Sequence, residues 1–160
     1  MIAEILCAAV VAISFPRADI ACAHIPTVIE ASEKYELDPA LVVSLIRVES
    51  RWKATAVSRS KACGLTQVLA KYSDYTCDQL KDPKTSIFEG ARKLHFWIYK
   101  YGKGRIKTGL CGYNAGFRCK GKNKNATGVR YAKKVIKYKN ELRDKYRQLE
   151  EELRPKAYNE

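Results

Sequence analysis

The stretch Leu41 to Gln67, LVVSLIRVESRWKATAVSRSKACGLTQ, constrains the fold of this chain more than any other segment. It opens as an apolar helical run and carries a glutamate, Glu49, near the end of that run. At about 100° per residue, Ser44, Arg47 and Arg51 define one polar face. Glu49 falls on the opposite side, shared with Val42, Leu45 and Ile46. A carboxylate in that setting costs free energy unless it is paired or kept protonated. The loop that follows is basic: Arg51, Lys53, Arg59, Lys61 and Lys71 precede Asp74, the first acidic residue after Glu49.

With 160 residues the chain can bury one real core and is too short for two ordinary domains. A formal charge of +13 predicts attraction to a polyanion, whether nucleic acid, anionic lipid or an anionic cell-wall polymer. The basic residues are scattered and accompany no recognised nucleic-acid reader motif, so nucleic acid is not an expected partner.

Residues 1–23 differ from the rest. Ile5 to Phe15 is an uncharged apolar run, followed by Pro16 and by Ala21-Cys22-Ala23, a small-x-small cleavage pattern. This reads as a secretory signal peptide, although the segment ahead of the run carries Glu4 and no Lys or Arg. The run is too short for a comfortable spanning helix. An uncleaved anchor or a hydrophobic first helix is the alternative. Cleavage would remove Cys7 and Cys22 and leave Cys63, Cys77, Cys111 and Cys119. Four cysteines in an exported domain suggest two disulfides, with three connectivities open. Sequence proximity favours Cys63–Cys77 and Cys111–Cys119. No CxxC pair occurs and the spacings match no common zinc motif, so neither a metal nor another cofactor is expected.

The remaining pattern is helical. Val28, Ile29, Ser32 and Tyr35 predict a short amphipathic helix, and Asp38-Pro39 cap the helix that holds Glu49. A short helix is expected over residues 64–72 and irregular chain over 73–84. Ser86-x-x-Glu89 reads as a capping box ahead of a helix to Tyr101. Another helix is expected from Ile106 to the glycine turn at Gly116, then a basic loop to Gly128. A last helix runs from near Val129 almost to Pro155. The fold class is mainly α, with little or no β. The division reads 1–23 signal peptide, 24–140 main domain and 141–160 charged helical extension.

Glu49-Ser50, Ala56-Val57-Ser58, Gly64-Leu65-Thr66-Gln67, Gly112-Tyr113-Asn114-Ala115-Gly116 and Tyr131 are individually weak motifs. In this order and spacing they resemble the motifs of lytic transglycosylases, more narrowly the soluble type with a goose-type lysozyme-like fold. The resemblance covers roughly residues 25 to 140 and extends to small members in bacterial wall remodelling, secretion systems and bacteriophages.

It implies a peptidoglycan lytic transglycosylase that cleaves the MurNAc-GlcNAc β-1,4 bond without water, leaving 1,6-anhydroMurNAc ends. Glu49 would be the single acid/base, first protonating the glycosidic oxygen and then accepting the proton of the C6 hydroxyl. Ser50, Ser58, Gln67, Tyr113, Asn114 and Tyr131 would surround the substrate. The amides suit N-acetyl groups and hydroxyls, and the tyrosines suit stacking or orientation of the acid. Where the family has Met, this chain has Thr66, which implies a shorter and more polar groove wall. Cys63 and Cys111 flank two motifs, so their disulfides would brace the groove loops. His95 is expected to be packed or on the surface.

The expected partners are peptidoglycan glycan strands and anionic wall polymers, with a secretion machine or virion as a further possibility, and the chain is expected to be monomeric. The expected location is periplasmic or extracellular, or the host periplasm for a phage protein. A hydrolytic muramidase and a non-catalytic wall-binding or assembly module are the alternatives.

Overall fold

Asp38 and Pro39 start the helix on which the other elements pack. The Asp38 carboxylate accepts from the Ala40 N–H at 2.9 Å, and Pro39 supplies a preset φ at the first helical position. In the computed structural model, which describes residues 1–154, this helix, α3, spans Pro39–Ser50. It ends as Arg51 and Trp52 both turn left-handed, at φ 52° and 63°. Trp52 is thereby driven fully into the core.

Before α3 come α1 (Ile2–Ala12) and α2 (Ala18–Lys34). After it come a two-stranded hairpin, β1 (Ala62–Cys63) and β2 (Val68–Leu69), a 3-10 turn at Ala70–Tyr72, and the short α4 (Cys77–Leu80). The rest is α5 (Pro83–His95), continued by a π-helical turn at Phe96–Tyr101, then α6 (Ile106–Ala115) and α7 (Ala126–Leu153). The fold is mainly α, as the sequence predicts. Residues 155–160, the end of the expected C-terminal extension, lie outside the described residues.

Three expectations change in the structure. Of the three polar residues read on one face of α3, only Arg51, at the C-terminal cap, is exposed. Ser44 is fully buried, and the Arg47 guanidinium lies between the Phe15 and Tyr138 rings, 4.4 and 3.8 Å from their centroids. The chain on either side of α3 covers this face, so α3 is buried almost all round.

The helix expected over 64–72 is instead the hairpin with its 3-10 turn. Gly64 has φ +80° and Gln67 φ +53°, which breaks any right-handed run. A Cβ at Gly64 would sit 1.9 Å from the Leu80 carbonyl oxygen, and the Cys63–Cys77 disulfide holds the two segments together. Gly64→Ala is therefore expected to destabilise by more than about 2 kcal/mol, read as a lowered denaturation midpoint.

The capping box at Ser86 does not open α5. The helix starts three residues earlier, where Asp82 accepts from the Thr85 N–H at 3.0 Å and Pro83 follows, repeating the device that opens α3. Ser86 is buried and bonds to Thr66, while Glu89 pairs with Arg92.

In the full-length chain the two ends pack against each other. The apolar run of residues 1–23 forms α1, with Ile5, Leu6, Ala9, Val10 and Phe15 all buried. Ala21 of the small-x-small pattern is fully buried inside α2. Cys7 and Cys22, expected to leave together, are bridged to each other across α1 and α2. α1 also packs along α7, which continues without a break past residue 140. Leu142 is fully buried, and Tyr146 and Leu149 pack against the core. Cys63–Cys77 and Cys111–Cys119 pair as sequence proximity favours.

Candidate active site

The C-terminal end of α3, the hairpin and the C-terminal end of α6 enclose a groove of about 730 Å³. Among the described residues, Glu49 is the one carboxylate residue lining it, beside the cations Lys71, Lys93 and Arg118. Burial raises the Glu49 carboxyl from its ordinary 4.5 to about 7, and the Tyr131 hydroxyl, held against it, pulls more weakly the other way. Val42, Leu45 and Ile46 are all buried on this helix, so the apolar setting read from the sequence is present. The acid is thus largely un-ionised in mild acid and about half protonated near neutral pH, while facing an open groove.

Two tyrosines frame it. Tyr113, on α6, lines the groove, and its hydroxyl donates to the Thr66 carbonyl at 2.7 Å, which ties α6 to the hairpin turn. Tyr131, on α7, lies behind the acid and outside the groove lining. Its buried hydroxyl reaches no partner at full hydrogen-bond geometry, leaving Glu49 the group it is placed to serve. Burial and the neighbouring carboxyl push both phenols well above their usual value, so both stay protonated donors. The position of Tyr131 suits orientation of the acid and leaves it no sugar to stack on.

The other candidates divide. Gln67 lines the groove, but its Nε2 already donates to the Ala56 and Gly64 carbonyls, both at 3.0 Å. Only its amide oxygen remains for a ligand. Asn114 lines the groove, exposed. Ser58 lines it too, with its hydroxyl accepting from the Ala62 N–H at 3.1 Å and paired with Ser60. Ser50 faces inward: its hydroxyl donates to the Leu65 carbonyl at 2.8 Å and anchors the hairpin to the end of α3.

Thr66 does not form the groove wall expected of it. It is fully buried, bonded to Ser86 at 2.8 Å, and packed where Gly90 lacks a Cβ. His95 bonds the Tyr35 carbonyl at 2.8 Å and is packed, as expected.

Sequence reasoning missed Tyr72, Trp97, Phe117 and the three cations as groove residues. Only Phe117 carried a usable signal, since it directly follows the Gly112–Gly116 motif. A second carboxylate is not within the groove lining among the described residues. Glu89 is held ionised by Arg92, at 2.7 Å, and by the Ser73 hydroxyl. Among the described residues no group of three His, Cys, Asp or Glu side chains could hold a metal ion.

The sequence and the fold both match known proteins. Residues 26–136 match the family described as Transglycosylase SLT domain. Membrane-bound lytic murein transglycosylase C of Pectobacterium atrosepticum is 41% identical over 83 residues, spanning 44% of this chain and 23% of that protein. A protein of Enterobacteria phage PRD1 named transglycosylase is 32% identical over 91 residues, spanning 56% of this chain and 34% of that one. The chain therefore matches about a third or less of the length of these relatives. An inactive mutant of the lytic transglycosylase Slt from Pseudomonas aeruginosa superposes with a TM-score of 0.68 over 78% of this chain and 24% of that one, at 20% identity. Its fold is shared. The family match spans more than two-thirds of the chain, and the chain belongs to the SLT transglycosylase family.

Proposed function

We propose that this protein is a peptidoglycan lytic transglycosylase. It cleaves the MurNAc-GlcNAc β-1,4 bond without water and leaves 1,6-anhydroMurNAc ends. The observation that carries this reading is a single carboxyl in the groove, lifted to about 7 by burial. Protonated Glu49 donates to the glycosidic oxygen as the bond to C1 breaks. The carboxylate so formed accepts the proton of the C6 hydroxyl as that oxygen bonds C1. The proton count closes on one residue.

A water-using inverting hydrolase needs a second carboxylate at about 6.5–9.5 Å to activate water, and the described groove lining offers none. Tyr131 orients the acid, Asn114 and the Gln67 amide oxygen meet substrate polar groups, and Ser50 holds the hairpin in place. Lys71, Lys93 and Arg118 favour an anionic wall polymer near the groove. The disulfide pairing fits an oxidising compartment outside the cytoplasmic membrane. The working unit is a monomer acting on glycan strands.

Mass spectrometry of digested sacculi tests the reaction. The expected ladder ends in 1,6-anhydromuramic acid, and a ladder of reducing ends alone would replace this reading with a muramidase.

The pH profile is a separate test. Because the protonated form starts the reaction, kcat/KM should be flat on the acid side and fall about tenfold per unit above about 7. An additional loss of rate near ordinary carboxylate values, with the fold intact, would indicate a second essential carboxylate.

A further inference from the structure

Phe117 is a large apolar side chain, 73% exposed, at the end of the catalytic groove. It is not a loose loop residue. Its ring lies 4.9 Å from Trp97 and 5.5 Å from Tyr101, centroid to centroid, and Trp97 and Tyr101 meet edge-on at 5.2 Å. The cluster is braced from several sides. Tyr101 accepts from the Cys119 N–H at 3.0 Å, and the Cys111–Cys119 disulfide ties the loop back to α6. A Cβ at Gly112 would fall 2.5 Å from the Trp97 ring, so this glycine lets Trp97 seat against α6. The left-handed Gly116, at φ +70°, turns the chain so that Phe117 faces out.

We propose that Phe117, supported by Trp97 and Tyr101, is a sugar-binding ledge that holds the glycan strand one or more sugars away from Glu49. This rests on the reading of the groove as a glycan site. The ledge is continuous with the cavity that contains Glu49, Tyr113 and Asn114, and lies just past Asn114 along the chain. A pyranose presents a face of C–H groups that packs on an aromatic ring, while its hydroxyls stay in water at the groove mouth. A rigid exposed aromatic beside a polar groove suits that ligand, because stacking needs area and little side-chain ordering. The groove supplies chemistry at Glu49 and the ledge supplies length.

The test uses Glu49→Gln chains, which bind without turnover, titrated with chitooligosaccharides from the disaccharide to the hexasaccharide. Trp97 lines the groove and Trp52 is fully buried, so intrinsic fluorescence reports on the ledge, with calorimetry as the independent measure. Adding Phe117→Ala should weaken hexasaccharide binding about three- to tenfold and leave the disaccharide unchanged. Phe117→Trp should restore the long-chain affinity. Since the side chain is mostly exposed, Phe117→Ala should lower the unfolding midpoint only slightly, through the lost contacts with Trp97 and Tyr101.

An unchanged length dependence in the Phe117→Ala chain, with binding otherwise intact, would overturn the ledge alone. Failure of the Glu49→Gln chain to bind any saccharide would overturn the glycan groove and the ledge with it.

Discussion

Glu49→Gln is expected to leave a folded protein whose wall-cleaving rate falls by at least about a thousandfold. The amide keeps the size and hydrogen-bonding capacity of a protonated acid, yet it can neither deliver a proton to the glycosidic oxygen nor accept one from the C6 hydroxyl. With no other carboxyl in the described groove lining, nothing nearby can substitute. Muropeptide release from sacculi measures the loss; near-normal activity in the variant would remove Glu49 from the acid/base role, and no release by the parent chain either would reduce this protein to a binding or assembly module.

The same substitution has a second signature. The carboxyl titrates near 7 in the folded chain against an ordinary 4.5, so between those values the folded state keeps a proton that the unfolded chain has released. Stability contributed by this site therefore falls as pH rises through that window and is level above it. The full difference is roughly 3 kcal/mol. An amide at this position carries no such cost. The Glu49→Gln chain should be more stable than the parent above neutrality by an amount of that order, and should match it in mild acid below the ordinary carboxyl value. Urea unfolding at two pH values reads this directly, and an equal stability difference at both would mean that burial does not hold the proton.

Removing residues 1–23 is expected to cost most of the stability of the domain. The cut would take away Ile5, Leu6, Val10 and Phe15, all at 4% exposure or less, and expose the parts of α2 and α7 they cover. Each such side chain contributes about 1.5–3 kcal/mol when buried, against about 5–15 kcal/mol for the stability of a whole domain. The ordering entropy of the removed residues offsets part of that loss. The Cys7–Cys22 bridge, which adds about 3 kcal/mol for a loop of this length, would go as well.

The stacking of Arg47 between Phe15 and Tyr138 would lose one side. The new terminus would start inside α2, without its first turn. The expected result is a chain that unfolds at a much lower temperature than residues 1–160, or associates through the uncovered face. Thermal unfolding and sedimentation of the two chains decide this, and N-terminal sequencing of the protein isolated from its native host shows which one is used. Equal stability would mean that α1 is dispensable to the fold and would favour the reading of those residues as a leader.

Local chemistry determined much of this protein before any tertiary contact. Asp38-Pro39 dictates where α3 starts, and helical periodicity puts Glu49 on the side of Val42, Leu45 and Ile46. The absence of acid before Asp74 was equally plain from order alone. These readings need only neighbours within a few turns, and that is the range over which spacing carries information. Even so, a competing local signal misled where both were present: Ser86-x-x-Glu89 resembles a cap, but Asp82-Pro83 wins because it comes first and presets the backbone.

Tertiary structure decided what lies against what. No periodicity could show that Thr66 turns away from the groove into the gap left by Gly90, or that Ser50 is committed to the Leu65 carbonyl. Nor could it show Trp97, set on a π-helical turn, meeting Phe117 across the Cys111–Cys119 bridge. The two ends are the clearest case. An apolar run at the start resembles a leader and a charged helix at the end resembles an extension, because each lacks a visible partner in its own stretch of sequence. Their partner is each other: α1 lies along α7, buried area is gained only when both are present, and such pairing at long separation leaves no local trace.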